Sequence, residues 1–127
     1  MDELSRMTMT MTTNLSDAEY LALSAKMLAH VEATIDAWLE TDVIDIDTHR
    51  TGGLLELSFP NGSKLVLNTQ PPLHELWLAS QAGGSHYKCV EGCWRDTRTG
   101  AEFLTTLSEQ ASRQAGVPLT WAPINSP

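Results

Sequence analysis

Positive charge is scarce in this sequence. Eight Lys and Arg stand against 16 Asp and Glu, a net charge of −8, and none of the eight falls between Lys26 and Arg50. Proteins that grip nucleic acid or anionic lipid need a basic surface to meet phosphates, so both partner classes are excluded. Cations or a basic protein are the electrostatically natural partners. Long apolar runs are missing too: none approaches the roughly 20 residues of a membrane helix. Cysteine is reduced to Cys89 and Cys93, with no Cys-x-x-Cys pair. No GxSxG elbow, phosphate-cradling glycine loop or other catalytic constellation is present, which predicts a protein that is not an enzyme.

Residues 1–14 are rich in Met and Thr and lack the basic start and apolar core of a signal peptide. A disordered N-terminal extension is expected there, with Met7, Met9 or Met11 as alternative starts. A single domain is expected over 15–127, its tail running over 117–127, in a cytoplasmic protein. That length supports one real core and no second.

Periodicity supplies the elements. Ser16 with Glu19 has capping-box spacing, and Tyr20, Leu23, Met27, Val31, Ile35 and Trp38 then recur at steps of three and four. This predicts an amphipathic helix. A meander follows. Ile44–Asp47 alternates with period two and is expected as a first strand carrying Asp45 and Asp47 on one side. Gly52-Gly53, Asn61-Gly62, Pro71-Pro72, Gly83-Gly84 and Glu91-Gly92 punctuate the strands after it. Thr99 with Glu102 repeats the capping spacing ahead of Phe103, Leu104, Leu107 and Ala111, and Gly116 with Pro118 should end that second helix. Leu119, Trp121 and Ile124 make the tail apolar enough to dock.

Consecutive hairpins imply an antiparallel sheet of about six strands. Two amphipathic helices cover only one face of it, giving an α+β two-layer sandwich. Along Glu75–Ser80, Leu76 and Leu78 point one way and Glu75, Trp77 and Ala79 the other. If the leucines face the helices, Trp77 stands on the open side beside a carboxylate, where a partner protein would cover it.

A second feature is acidic. Glu32, Asp36 and Glu40 form a stripe on the first helix nearly opposite its apolar one, and Asp42, Asp45 and Asp47 continue it. Like charges four apart repel by a few tenths of a kcal/mol, and acids at a helix C-terminus oppose the dipole. Exposed carboxylates are hard oxygen donors suited to iron, Mn²⁺, Ca²⁺ or Mg²⁺. The spacing fits no EF-hand, so the binding expected is weak, solvated and unselective, against the plain alternative of a face kept charged for solubility. Glu19 is a lesser candidate because capping already explains it. His49 could add a nitrogen ligand. Cys89 and Cys93 could bridge only if they face each other across their hairpin, and a cytosolic setting favours free thiols.

Several motifs fall together: Gly52-Gly53-Leu54-Leu55, Asn61-Gly62-Ser63-Lys64, the run Asn68 to Ala79, Gly83-Gly84, and Trp94 followed by Asp96-Thr97-Arg98-Thr99-Gly100. In this order and spacing the chain resembles the frataxin family, in its bacterial form, from about Ser16 to Gly116. The resemblance implies two helices packed on one face of a curved sheet. It also implies a role in iron–sulfur cluster assembly through weak, reversible iron binding (Fe²⁺ or Fe³⁺) and contact with the cysteine desulfurase and scaffold protein. Iron would bind on the acidic ridge of the first helix and first strand. Asn68, Gln70 and Trp77 would meet the assembly partners, with Glu75 and His86 beside them; His74 is read as part of that face too. Ala33, Ala37 and Leu39 lie where the family is commonly acidic. A monomer is expected, with iron-dependent oligomers and a ridge-bound ferroxidase-type activity left open. The competing reading is a metal-independent interaction module whose ridge only docks basic partners.

Overall fold

In the computed structural model, residues 15–124 are described; the expected extension over 1–14 lies outside them. Helix α1 spans Asp17–Glu40. Strands β1 (Asp47–Thr51), β2 (Leu54–Ser58), β3 (Lys64–Gln70), β4 (Glu75–Ser80), β5 (Gly83–Val90) and β6 (Cys93–Asp96) follow, and helix α2 spans Phe103–Ala115. The sheet runs β1 to β6 in sequence order, each strand antiparallel to the next. A short 3-10 turn, Pro71–Leu73, joins β3 to β4.

The alternating pattern sets the layers. Leu55, Leu57, Leu65, Leu67, Leu76, Leu78 and Tyr87 lose essentially all exposure beneath the helices. Tyr20, Met27, Leu28, Val31 and Ile35 come down from α1, and Phe103, Leu104, Leu107 and Ala111 from α2. Truncating one such leucine to alanine costs about 2–5 kcal/mol. This is the two-layer α+β sandwich that the patterning predicts.

Helix α1 starts on a complete capping box: Glu19 N donates to Ser16 Oγ at 3.1 Å, and Ser16 N donates to Glu19 Oε1 at 2.9 Å. Those bonds hold the Glu19 carboxyl below its ordinary value. Helix α2 begins differently from the expectation. Its N-cap is Glu102, whose carboxylate accepts from Leu104 N and Thr105 N. Thr99 instead closes the preceding turn, accepting from Ala101 N at 3.2 Å.

The first strand also differs. It begins at Asp47, not Ile44, because β2 ends at Ser58, the partner of Asp47. Beyond Ser58 the chain turns back through Phe59 N to Ser63 O (2.8 Å), leaving residues 44–46 no ladder to join. The alternation survives without the ladder: Ile46 is buried and Asp45 and Asp47 are exposed.

The segment after α2 is stitched between the helices. Ser112 Oγ bonds both Leu119 O (2.9 Å) and Leu119 N (2.8 Å). Trp121 N donates to Ser108 Oγ, Trp121 Nε1 to Val31 O, and the indole meets Trp38 edge-on with centroids 4.6 Å apart.

Candidate functional site

The open face of the sheet is ordered in rows, because antiparallel partners stand side by side about 4.8 Å apart. Leu54, Asn68, Trp77 and His86 form one row across β2 to β5. Gln70, Glu75, Lys88 and Arg95 form the next across β3 to β6. The five expected partner-face residues therefore come together: Asn68, Trp77 and His86 in one row, Gln70 and Glu75 in the other. Trp77 stacks flat on His86, with centroids 4.1 Å apart and planes 7° from parallel.

Glu75 occupies that face but is not the open carboxylate the pattern suggests. It is only 9% exposed. Its Oε1 accepts from Trp77 Nε1 at 2.8 Å and lies 3.7 Å from His86 Nδ1, while Oε2 lies 3.5 Å from Lys88 Nζ. The carboxylate is thus spent on fixing the indole. It positions Trp77 on the open face.

His74 leaves the face altogether. At the end of the 3-10 turn, with φ 53°, it swings its ring toward α1. There it stacks on Tyr20 (4.8 Å, 12°) and donates to Asp17 Oδ1 at 2.7 Å. Tyr20 itself was legible in the sequence only as part of the apolar stripe. Its buried hydroxyl donates to Glu75 O (2.6 Å) and accepts from Gln70 N (3.0 Å), tying α1 to both ends of the β3–β4 connection. A tyrosine, rather than leucine, opening a buried stripe is the signal for such a tie, since a buried phenol needs a polar partner.

The acidic candidates lie along one flank without closing around a point. Asp36 and Glu40 are exposed on α1, and Asp42 sits in a left-handed turn (φ 59°) with Asp45 exposed beyond it. Glu32 is engaged by Arg50 Nη1 at 2.7 Å from the edge strand β1. Asp47 and His49 pair with Ser58 and Glu56, which turns them onto the open face of the sheet, around the edge from α1. Glu19 stands apart: thirteen residues before Glu32, it is about 20 Å up the helix axis. Among the described residues no three His, Cys, Asp or Glu side chains gather to hold a metal ion.

The two cysteines are free thiols. Cys89 pairs with Trp94, and Cys93 with Val90, so register sends the two thiols to opposite faces of the hairpin. Burial pushes the Cys89 thiol above its ordinary value. Among the described residues, no helix is long and apolar enough to cross a membrane.

Two helices laid on one face of a six-stranded antiparallel meander, with the other face bearing an aromatic pair and the flank acidic, define a two-layer protein built to present surfaces. The chain belongs to the frataxin family: residues 13–117 match the model described as Frataxin-like domain. It is 47% identical over 108 residues to the iron-sulfur cluster assembly protein CyaY of Burkholderia mallei strain SAVP1, covering 85% of this chain and 99% of that one. Among solved structures it resembles the frataxin of Psychromonas ingrahamii, of the CyaY protein family, with TM-score 0.76 and 36% identity over 86% of this chain and all of that one. A trimeric frataxin from Saccharomyces cerevisiae, complexed with ferrous iron, matches at TM-score 0.64 and 26% identity over 74% of this chain and 86% of that one.

Proposed function

We propose that this chain is an iron–sulfur cluster assembly protein that handles iron and regulates the cysteine desulfurase and scaffold machinery. The observation that carries the reading is the near end-to-end likeness to a protein named for that role, 47% identical across 99% of its length. Iron is cargo here, bound weakly and reversibly in solvent by Asp36, Glu40, Asp42, Asp45 and Asp47. Such an open carboxylate flank suits transient loading better than tight storage. His49, on the same sheet face as Asp47, adds a nitrogen donor at the end of the flank, while Glu32 and Glu19 are lesser contributors: the first is held by Arg50 and the second is used as a cap. The row Asn68–Trp77–His86, with Gln70 beside it, is the surface offered to the assembly partners. A rigid aromatic anchor held by its own carboxylate is the kind of group that dominates protein interfaces. The protein acts in the cytoplasm without being an enzyme, as a monomer when iron-free; the yeast relative's ferrous-bound trimer leaves iron-driven assembly as a further expectation.

The second reading is a docking flank without metal. It is favoured by the lack of any three-ligand group among the described residues and by the capture of Glu32 by Arg50. An anaerobic Fe²⁺ titration followed by residue-resolved NMR separates the two. Selective, saturable changes over residues 32–49, weakened in Asp45→Asn/Asp47→Asn and intact in Trp77→Ala, are expected. No saturable change, or the same change with Mg²⁺, would leave only salt-sensitive docking of a basic partner.

A further inference from the structure

The motif Asp96-Thr97-Arg98-Thr99-Gly100 does no work in the iron reading, yet the fold brings it against the aromatic pair. Thr97 N donates to His86 O at 2.9 Å, extending the β5–β6 ladder by one bond. The Asp96 carboxylate accepts from Arg98 N (2.7 Å) and Thr99 N (3.1 Å), and Gly100 N returns to Asp96 O (2.9 Å). The backbone beneath Arg98 is therefore pinned. Between this turn and the start of β5 lies a cavity of about 280 Å³ lined by Gly84, Ser85, His86, Thr97 and Arg98. Its His86 wall is the ring on which Trp77 stacks.

One cation at this cavity has no partner of its own. The carboxylates on the neighbouring elements are already used: Glu75 on the Trp77 indole and Lys88, Asp96 on the turn amides, Glu102 on the α2 amides. Among the described residues the Arg98 guanidinium makes no ion pair or hydrogen bond of its own. Lys88 and Arg95 in the row alongside are engaged: Lys88 Nζ lies 3.5 Å from Glu75 Oε2 and donates to Leu73 O at 2.8 Å, and Arg95 Nη1 donates to Gly100 O at 3.2 Å. At this corner of the open face, Arg98 is thus the cation that has no acceptor among the described residues, on a molecule of net charge −8.

We propose that this corner is a carboxylate-binding subsite that receives an Asp or Glu side chain from an acidic segment of a partner protein. Arg98 would grip the carboxylate as a planar fork, with His86 as the second donor and Trp77 as the platform for the adjoining backbone. The unpartnered Arg98 is opposite in sign to the acidic flank, so one molecule can meet a basic surface with its helix side and a single carboxylate at its sheet corner. The inference rests on the reading that the open face docks protein, and not on iron binding.

The test uses the full chain, ¹⁵N-labelled, at about 0.15 M salt, where charges beyond roughly 8 Å are screened. The probe is a capped decapeptide of alternating Glu and Gly, with a Gln-for-Glu peptide and inorganic phosphate as comparisons. Saturable shifts at Gly84, His86, Thr97, Arg98 and the Trp77 indole are expected with the Glu peptide and not with the Gln peptide. Arg98→Gln should weaken binding about tenfold or more and Arg98→Glu should abolish it. Both substitutions lie in an exposed turn and should leave the rest of the spectrum in place. Shifts that survive Arg98→Glu, or no saturable shift at all, overturn the proposal. Equal binding of phosphate shows a general anion site and overturns the assignment to a protein carboxylate. Docking of the assembly proteins that fails in Trp77→Ala but survives Arg98→Glu would keep the partner-face reading and sink this subsite.

Discussion

Replacing Tyr20 with Phe removes the single oxygen that ties α1 to both ends of the β3–β4 connection. The ring stays, with its stack on His74 and its edge contact to Trp94, so packing is unchanged. What is lost is the acceptor for Gln70 N and the donor to Glu75 O. A buried polar group left without a partner costs about 1–3 kcal/mol. The Glu75 carbonyl lies in buried surroundings and takes that cost fully; the Gln70 amide is half-buried and takes part of it. The sum is about 2–4 kcal/mol. For a domain of this size, at roughly 4 °C per kcal/mol, Tm should fall by about 8–16 °C. Urea denaturation followed by far-UV circular dichroism should show a lower midpoint at unchanged m-value, since the surface exposed on unfolding is the same. Amide exchange at Gln70 should quicken beyond what the global loss explains. A loss below about 0.5 kcal/mol, inside the range of ordinary surface substitutions, would refute the claim that this hydroxyl ties the layers.

The remaining predictions concern strain, protons and thiols. Gly53 lies where an added Cβ would run into Thr69 Oγ1 and come within 3.2 Å of Thr69 Cβ, so Gly53→Ala should cost about 1–3 kcal/mol, part of it recovered by adding Thr69→Ala; a neutral Gly53→Ala by denaturation would show that the β1–β2 turn yields freely. Burial raises the pKa of Cys89 and of the Tyr20 and Tyr87 phenols above their ordinary values of 9.0 and 10.0. Because the unfolded chain releases these protons first, the stabilisation is complete below those values and drains as pH climbs through them toward the raised native ones. Thermal melts should therefore drop steadily above about pH 9, less steeply in Tyr20→Phe relative to its own neutral value. Iodoacetamide at pH 8 should modify Cys93 well before the buried Cys89, and mild oxidation should form no bond between them, because their register turns them apart; rapid loss of both thiols together would contradict the register.

Glu102 shows how a local signal can be right in kind and wrong in place. Thr99 and Glu102 have the spacing of a capping box, and a helix does begin there, but Asp96 claims the amides of Arg98 and Thr99 and moves the start three residues on. The first strand slipped for a reason equally invisible locally: the length of its partner β2 decides where pairing begins.

The sequence by itself determined the helices, the strands and their inward faces, the two layers and the uneven distribution of charge. Those follow from the 3.6- and two-residue periods of neighbouring side chains and from turn residues that act within a few positions. Only the tertiary structure decided which charges are spoken for. Arg50 reaches Glu32 across 18 residues and His74 reaches Asp17 across 57. Strand register hides Glu75 under Trp77 and turns Asp47 and His49 onto the sheet face. It also sets the Arg98 turn beside His86. A one-residue slip in register would reverse each of these faces, and no short-range pattern in the chain records which register closes the sheet.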